Sequence, residues 1–192
     1  HQHKIKQVVG QEVVIKTVLD RDLDKCKAFF GDSVHCTDNF DEILNDDDIS
    51  IIVELIGYVP AAKDYISQAL AAGKHVVSAN KDLVALHGKE LVTLAKANKC
   101  DFLYEAAVAG GVPILRAITE SFASDNIQKV MGIVNGTTNF MMTKMDKEGY
   151  SYDEALALAQ ELGFAEKNPT SDVDGLDAAR KMVILARLAF GT

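Results

Sequence analysis

The stretch that decides the fold is IIVELI, residues 51–56, a continuous apolar run that only Glu54 interrupts. A short run of this kind is typical of a parallel strand that is buried on both faces of a sheet. Residues 60–72 follow with a helical pattern and with Pro60 near the first turn, where proline is well tolerated. Residues 75–78 are the next strand candidate. This succession predicts a βαβ unit and a parallel sheet.

The same alternation extends from this unit in both directions along the chain. The further predicted strands are residues 13–19, 33–36 and 101–105, and the further predicted helices are residues 24–30, 40–45 and 86–98. This order predicts a doubly wound, Rossmann-like domain, in which ligands bind beyond the carboxyl ends of the strands. Those ends carry the candidate ligand-binding residues Asp20, Arg21, Gly57, Asn80, Lys81 and Glu105.

One part of such a domain is missing from the sequence. No Gly-x-Gly-x-x-Gly occurs, and no strand precedes residue 13 to carry it. Either the chain holds no dinucleotide site, or it begins after the first strand and its phosphate loop. We favour the second interpretation because residues 1–10 resemble the tail of a first crossover helix. We therefore expect this chain by itself to bind a dinucleotide poorly.

After Glu105 the pattern changes to a small, glycine-rich segment followed by mixed elements. Here the predicted helices are residues 113–122, 139–147, 151–162 and 176–190, with a strand at residues 127–134. Ser151 and Glu154 have the spacing of a capping box. We predict an incomplete nucleotide-binding domain over residues 1–105. An incomplete α+β substrate and dimerisation domain is predicted over residues 106–192.

Composition narrows the function classes. Of the 192 residues, 48% are hydrophobic, which is enough for a substantial core. The net charge of −8 argues against nucleic acid and anionic membranes as partners, and no apolar run reaches the roughly 18 residues that span a bilayer. Cys26, Cys36 and Cys100 are scattered, odd in number and without metal-like spacing. We expect a cytoplasmic protein that acts on small molecules.

An acid-rich stretch at residues 163–181 precedes and opens the last helix. Asp177 and Lys181 are four residues apart and so share one helix face. Burying such a pair costs free energy unless it has a function. The alternative interpretation is a surface salt bridge behind acids that suit the helix dipole. Spacing alone leaves both open.

Four local motifs share a resemblance. They are SANK at residues 78–81, YEAAVAGGVP at 104–113, NGTTN at 135–139 and the acid-rich stretch at 163–181. In this order they resemble homoserine dehydrogenase, over residues 13–192. The resemblance implies NAD(P)-dependent reduction of L-aspartate 4-semialdehyde to L-homoserine by a homodimer or tetramer. The alternatives are the dehydrogenase part of a bifunctional aspartate kinase, or a non-catalytic remnant that only dimerises or binds metabolites.

The resemblance also implies which lysines act. Hydride delivered to an aldehyde leaves an alkoxide that must gain a proton, so a positioned acid is needed. By this resemblance Lys181 is the proton donor and acceptor, and Lys81 is its partner, touching cofactor and substrate. The alternative for Lys81 is an exposed loop lysine.

The implied substrate contacts lie mostly in the acid-rich stretch. Glu166 and Asp177 match residues that hold the substrate's amino group, since a carboxylate is the natural partner of an ammonium. Asp172 matches a residue that keeps lysine and substrate in register. Thr137 belongs to residues 135–138, which would line the cleft facing the nicotinamide, although an Asn-Gly turn with a Thr cap explains the same letters. Solvated loop charge is the alternative for each acid, and we expect it for Asp174.

The implied cofactor contacts are Lys81, Asn80, Gly57, Arg21 and Gly163. Gly163, a helix stop, also admits the substrate or the nicotinamide ribose. Arg21 favours the 2′-phosphate of NADP, whereas Asp20 favours the free hydroxyls of NAD, so either cofactor is open. One departure lies in this region, because the family usually has Gly-Gly-x-Glu-Pro where this chain has the shorter Gly57-Tyr58-Val59-Pro60, without the acid.

The YEAAVAGGVP motif resembles a site for a monovalent cation such as sodium. The matching positions are Glu105, Val108, Gly110 and Val112, mostly through main-chain carbonyls. Hard cations take oxygen ligands, and a glycine-rich loop can turn several carbonyls inward. The alternative is a plain hinge between the two domains.

Overall fold

The computed structural model describes residues 2–191. In its first half, short strands alternate with helices, as predicted. The elements are α1 (Gln2–Val9), β1 (Thr17–Leu19), α2 (Leu23–Phe30), β2 (His35–Thr37), α3 (Phe40–Leu44), β3 (Ile51–Glu54), α4 (Val59–Ala71), β4 (His75–Ser78), α5 (Lys81–Ala97) and β5 (Phe102–Leu103). Within residues 1–10, for which we expected the tail of a crossover helix, the structure has a helix at α1, and residue 1 lies outside the described residues.

The strands form two parallel ladders. β1 pairs with β2, with Thr17 opposite His35. β3, β4 and β5 form the second ladder, with Ile51 opposite His75 and Val76 opposite Phe102. Every pairing is parallel, and helices connect the strands, so the Rossmann-like α/β prediction is confirmed. Within residues 2–191 no ladder joins β1 to β3.

The core lies where α4 and α5 pack on the second ladder. Ile66 and Leu70 from α4 and Leu83 and Leu91 from α5 are fully buried around Val76 of β4. Each such side chain stabilises the fold by roughly 1.5–3 kcal/mol relative to an exposed position. This packing fixes the starts of α4 and α5 at the carboxyl edge of the strands.

One expectation about β3 is wrong. We expected a strand that is buried on both faces, but Ile51 and Val53 are 52% and 61% exposed. Side chains alternate across a strand, so these two lie on the same face. No described residue covers that face, whereas Glu54 on the opposite face is buried.

The second half is helical within the described residues. Its elements are α6 (Ile114–Arg116) with a π-helical continuation (Ala117–Ser121), α7 (Gly136–Glu148), α8 (Tyr152–Glu161), α9 (Thr170–Val173) and α10 (Leu176–Phe190). The strand predicted at residues 127–134 is wrong, because no described residue pairs with that segment. A strand needs a hydrogen-bonded neighbour, and local sequence cannot show whether one is present. The short helix α9 was not predicted.

Caps decide several helix boundaries. α5 begins five residues before the predicted start, because Asn80 Oδ1 accepts from Leu83 N at 3.0 Å and caps the first turn. The predicted capping box at Ser151 and Glu154 is confirmed at the start of α8. Lys81 is therefore the first residue of a helix, which contradicts the loop-lysine alternative.

The cysteines also differ from the expectation. Cys26 on α2 and Cys36 on β2 form a disulfide, so these two are not scattered in space. Cys100 is a buried free thiol, and burial raises its pKa. Among residues 2–191 there is no helix that has the length and apolarity needed to cross a bilayer.

Candidate active site

A buried carboxylate joins two lysines at the start of α10. Asp177 Oδ2 accepts from Lys181 Nζ at 2.6 Å, one helical turn away. Lys81 Nζ lies 3.3 Å from Asp177 Oδ1 and comes from the first residue of α5. The Asp177 side chain is only 9% exposed and that of Lys181 only 19%. Because both side chains are largely buried, the ion pair between Asp177 and Lys181 lies in the interior of the protein. The alternative of a surface salt bridge is excluded.

The segment before α7 completes this cluster. Lys181 Nζ also donates to the Val134 carbonyl at 2.7 Å. Next to it, the Asn135 amide donates to Asp172 Oδ1 at 2.7 Å and to Asp177 Oδ2 at 2.9 Å. The predicted catalytic lysines and two of the predicted acids therefore lie together. We call Lys81, Asn135, Asp172, Asp177 and Lys181 the lysine–carboxylate cluster.

The cluster keeps Asp177 ionised. Burial raises the pKa of Asp177, but hydrogen bonds from Asn135, Lys181 and Lys81 and the charge of Lys181 outweigh it. The net result is a pKa below the ordinary value of 3.8. At neutral pH the Asp177 carboxylate is therefore negatively charged, and its two oxygens hold the side-chain nitrogens of Lys81 and Lys181 in place.

Thr137 and Gly163 lie at a neighbouring junction. Thr137 is buried, and its hydroxyl donates to the Phe164 carbonyl at 2.7 Å. Gly163 follows α8 with φ at 78°, a left-handed conformation that favours glycine. Glu166 is exposed, and only its main-chain carbonyl is engaged, by Gln160 at 3.1 Å. The described contacts do not bring Glu166 into the lysine–carboxylate cluster.

A second buried carboxylate organises the strand ends. Glu54 Oε1 accepts from Ile56 N at 2.7 Å and from Gly57 N at 3.3 Å. Glu54 Oε2 accepts from the Ser78 hydroxyl at 2.6 Å, and Ser78 Oγ accepts from Asn80 N at 3.1 Å. Sequence reasoning missed this role and treated Glu54 only as an interruption. The available signal was the cost of an acid inside an apolar strand.

Asn80 carries an unused donor. Its side chain is 8% exposed, its Oδ1 caps α5, and its Nδ2 is buried without a hydrogen-bond partner among the described residues. Buried polar groups are normally paired, so this amide can donate to a ligand acceptor. Lys81 follows it directly, which puts an ammonium beside the free donor.

The remaining predicted cofactor residues lie on an exposed edge. Asp20 and Arg21 follow β1 and line an open depression. Asp20 Oδ1 is engaged by Asp22 N at 2.9 Å. Gly57 has φ at 75° and is exposed after β3. None of these three has a described contact with the lysine–carboxylate cluster.

At the predicted cation site, the Glu105 carboxylate serves as a helix cap. It accepts from Leu115 N and from Arg116 N, both at 2.9 Å. Ala109 and Gly110 are consecutive left-handed residues, which turns the loop sharply. Among residues 2–191 no group of three His, Cys, Asp or Glu side chains could hold a metal.

Comparison with known families gives the context for this geometry. The model described as homoserine dehydrogenase, NAD binding domain, matches residues 2–105. The model described as homoserine dehydrogenase matches residues 113–192. The chain belongs to the homoserine dehydrogenase family. It is 53% identical over 190 residues to the homoserine dehydrogenase of Bacillus subtilis (strain 168), covering 99% of this chain and 44% of that protein.

Solved homoserine dehydrogenases share the fold. The structure from Thiobacillus denitrificans matches with a TM-score of 0.92 and 42% identity, over 98% of this chain and 44% of that one. A hyperthermophilic archaeal homoserine dehydrogenase in complex with NADPH matches with a TM-score of 0.77 and 29% identity, over 98% of this chain and 54% of that one. The chain thus spans about half the length of these relatives.

Proposed function

We propose that the protein containing this chain interconverts L-aspartate 4-semialdehyde and L-homoserine with NADP or NAD. The observation that carries the proposal is the meeting of Lys81 and Lys181 on one buried, ionised carboxylate, Asp177. Membership of the homoserine dehydrogenase family supports the choice of substrate and of a nicotinamide cofactor.

The lysines supply the acid–base half of the reaction. When bound, the reduced nicotinamide supplies a hydride to the aldehyde carbon. The carbonyl oxygen then becomes an alkoxide, and Lys181 donates the proton that makes it a hydroxyl. In the reverse direction Lys181 takes that proton back. Asp177 and the Val134 carbonyl hold the Lys181 nitrogen in place, and Lys81 adds a second positive charge beside the oxygen.

The substrate's ammonium needs a carboxylate that is accessible. Glu166 is exposed, so we assign it as the main acceptor. Asp177 already accepts from Asn135 and Lys181 and faces Lys81, so one of these donors must move for it to hold the ammonium. Asp172 keeps the catalytic lysine and the substrate aligned with each other. Thr137 and Gly163 border this end of the cluster.

The cofactor site follows the strand ends. The free Asn80 amide donates to the cofactor, and Lys81 contacts both cofactor and substrate. Gly57 and Gly163 allow close approach, because neither has a side chain. Arg21 meets the ribose end, where a 2′-phosphate would gain a charge-assisted hydrogen bond.

The loop after β5 fits a monovalent cation. Carbonyls of Glu105, Val108, Gly110 and Val112 are the proposed ligands, with the Glu105 carboxylate holding the loop against α6. In this proposal the boundary between the two domains lies at residue 105. The cation stiffens that boundary.

The proposed assembly is a homodimer or tetramer in the cytoplasm. Met131 and Ile133 are 79% and 78% exposed in the segment without regular structure, which supports a surface that other parts of the assembly cover. Sedimentation of the full-length protein tests the assembly: a single monomeric species at micromolar concentration contradicts it.

The activity is tested with the protein expressed from the complete reading frame. We expect L-homoserine to drive reduction of NADP or NAD. L-Serine, which is one methylene shorter, should give a kcat/KM lower by about 100-fold, because a fixed ammonium site misplaces the shorter hydroxyl. Equal rates with both alcohols, or none with L-homoserine, contradict the proposal.

A further inference from the structure

Asn135 lies at the centre of the lysine–carboxylate cluster. Its side chain is 8% exposed, and its NH₂ group donates to Asp172 Oδ1 and Asp177 Oδ2. Its Oδ1 accepts from Thr138 N and Thr138 Oγ1, both at 2.8 Å. Both amide hydrogens and the amide oxygen are thus used inside the protein. No hydrogen-bonding capacity remains on the NH₂ group for a substrate.

The amide separates two like charges. Asp172 comes from α9 and Asp177 from α10, and two carboxylates that share a site ordinarily force one to keep a proton. The charged groups that face Asn135 and its partners are these two acids with Lys81 from α5 and Lys181 from α10. Donation from one NH₂ group to both acids gives each carboxylate a hydrogen-bond donor between the two like charges. Beside them, Arg180 pairs with Asp82 at 3.3 Å.

We propose that Asn135 is a positioning residue for the reaction. Its amide holds Asp172 and Asp177 together and thereby fixes the carboxylate on which Lys181 rests. The adjacent Val134 carbonyl accepts from the same lysine, so this one segment orients Lys181 from two directions. This inference rests on the proposed function. The Asn135 amide acts through Asp172, Asp177 and Lys181, because its NH₂ group has no donor left for a substrate.

The substitution Asn135→Asp tests the role of the amide donor, because it removes the NH₂ group and changes little else in the side chain. Aspartate keeps the size of the side chain and caps a helix as well as asparagine does, so the start of α7 is preserved. The variant loses the NH₂ group and puts a third carboxylate between two others. We expect kcat to fall at least 10-fold and the acid limb of the pH–rate profile to move to higher pH. KM for the cofactor should stay within 2-fold.

Asn139→Asp is the matched control. It makes the same substitution one turn further along α7, at an exposed position. It should keep the wild-type kcat and pH profile. If Asn135→Asp behaves like this control, the proposal is overturned.

Unfolding measured against pH tests the same claim without activity. In the wild type the folded pKa of Asp177 is lowered, so its contribution is present above the unfolded pKa and is lost as pH falls. In Asn135→Asp the crowded carboxylates have raised folded pKa values, so stability is lost as pH rises. Relative to the control, the melting temperature should therefore drop at neutral pH and recover in acid. If the melting temperature of Asn135→Asp lies below that of the control by the same amount at every pH, the proposal is overturned.

The double variant Asn135→Asp with Asp172→Asn keeps the test valid if the single variant does not fold. It returns one amide and two carboxylates to the cluster with the positions exchanged. We expect it to regain most of the lost melting temperature at neutral pH. A double variant that is no better than Asn135→Asp, or than Asp172→Asn alone, contradicts the proposal. An inactive wild type with these unfolding results would refute the dehydrogenase function, and with it the role in the reaction, but not the placement of the two carboxylates by Asn135.

Discussion

The lysine–carboxylate cluster and the cofactor edge are built in opposite ways. In the cluster, Asp177 is buried and three donors from separate elements converge on it. At the edge, Arg21 and Gly57 are exposed and have no described contact with the cluster. The acid–base half of the site is therefore preorganised by this chain's own contacts. At the cofactor edge, formed by Asp20, Arg21 and Gly57, no such network among the described residues holds the side chains in place. The binding energy there must come from contacts that form only when the cofactor binds.

Replacing Asp177, the residue on which both lysines of the cluster converge, should give the largest effect on stability. Asp177→Asn leaves the partly buried Lys81 and Lys181 without their counter-charge. We expect a loss of stability on the order of 3 kcal/mol, because removing one partner strands the other charges. Urea unfolding measures it. Asp174→Asn, at an exposed position three residues earlier, should change stability by less than about 0.5 kcal/mol.

If Asp177→Asn lowers the free energy of unfolding no more than Asp174→Asn does, Asp177 does not hold the cluster together. The burial of Asp177 would then be incidental to the stability of the fold.

Breaking the support of the edge should give an intermediate effect. Glu54→Gln replaces one acceptor oxygen by a donor facing Ser78, so a buried hydroxyl proton loses its acceptor. We expect destabilisation of roughly 1–3 kcal/mol. Weaker NADPH binding by the full-length protein should accompany it, because the hydrogen-bond chain from Glu54 through Ser78 to the Asn80 backbone is broken. Fluorescence titration measures the affinity.

Glu161→Gln is the control for this change, since Glu161 is exposed at the end of α8. Equal NADPH affinity in the two variants would show that the buried Glu54 network does not shape the cofactor edge.

Changing the edge itself should give the smallest effect on stability and a selective effect on binding. Arg21→Ala should weaken NADPH binding about 10-fold and leave NADH binding within 2-fold, because only NADPH carries the 2′-phosphate. Lys25→Ala, on the exposed face of α2, controls for the loss of a nearby positive charge. Equal losses for both cofactors would place Arg21 elsewhere.

The sequence predicted the elements whose signals are local. Residues 75–78 and 176–190 have the predicted bounds, and the capping box at Ser151 needs only four residues to recognise. The strand predicted at residues 127–134 failed for the opposite reason. It is β-rich, but whether a strand forms depends on a partner elsewhere.

The same distinction holds in the site. The pairing of Lys181 with Asp177 was predictable, since i,i+4 spacing dictates it. The approach of Lys81 to Asp177 could not be predicted from spacing, because the packing of α5 against α10 brings together residues far apart in sequence; only the family resemblance implied that Lys81 is the partner of Lys181. The missed start of α5 had a usable signal in the Asn80 cap and the acidic Asp82 in the first turn.

The most direct test of the central claim is the rate of homoserine oxidation by Lys181→Met in the full-length protein. We expect kcat to fall by about 10²–10⁴-fold, the usual contribution of a positioned proton donor and acceptor. NADPH affinity should be unchanged, and exposed Lys167→Met should keep wild-type activity. A Lys181→Met enzyme with kcat within 3-fold of wild type would contradict the account.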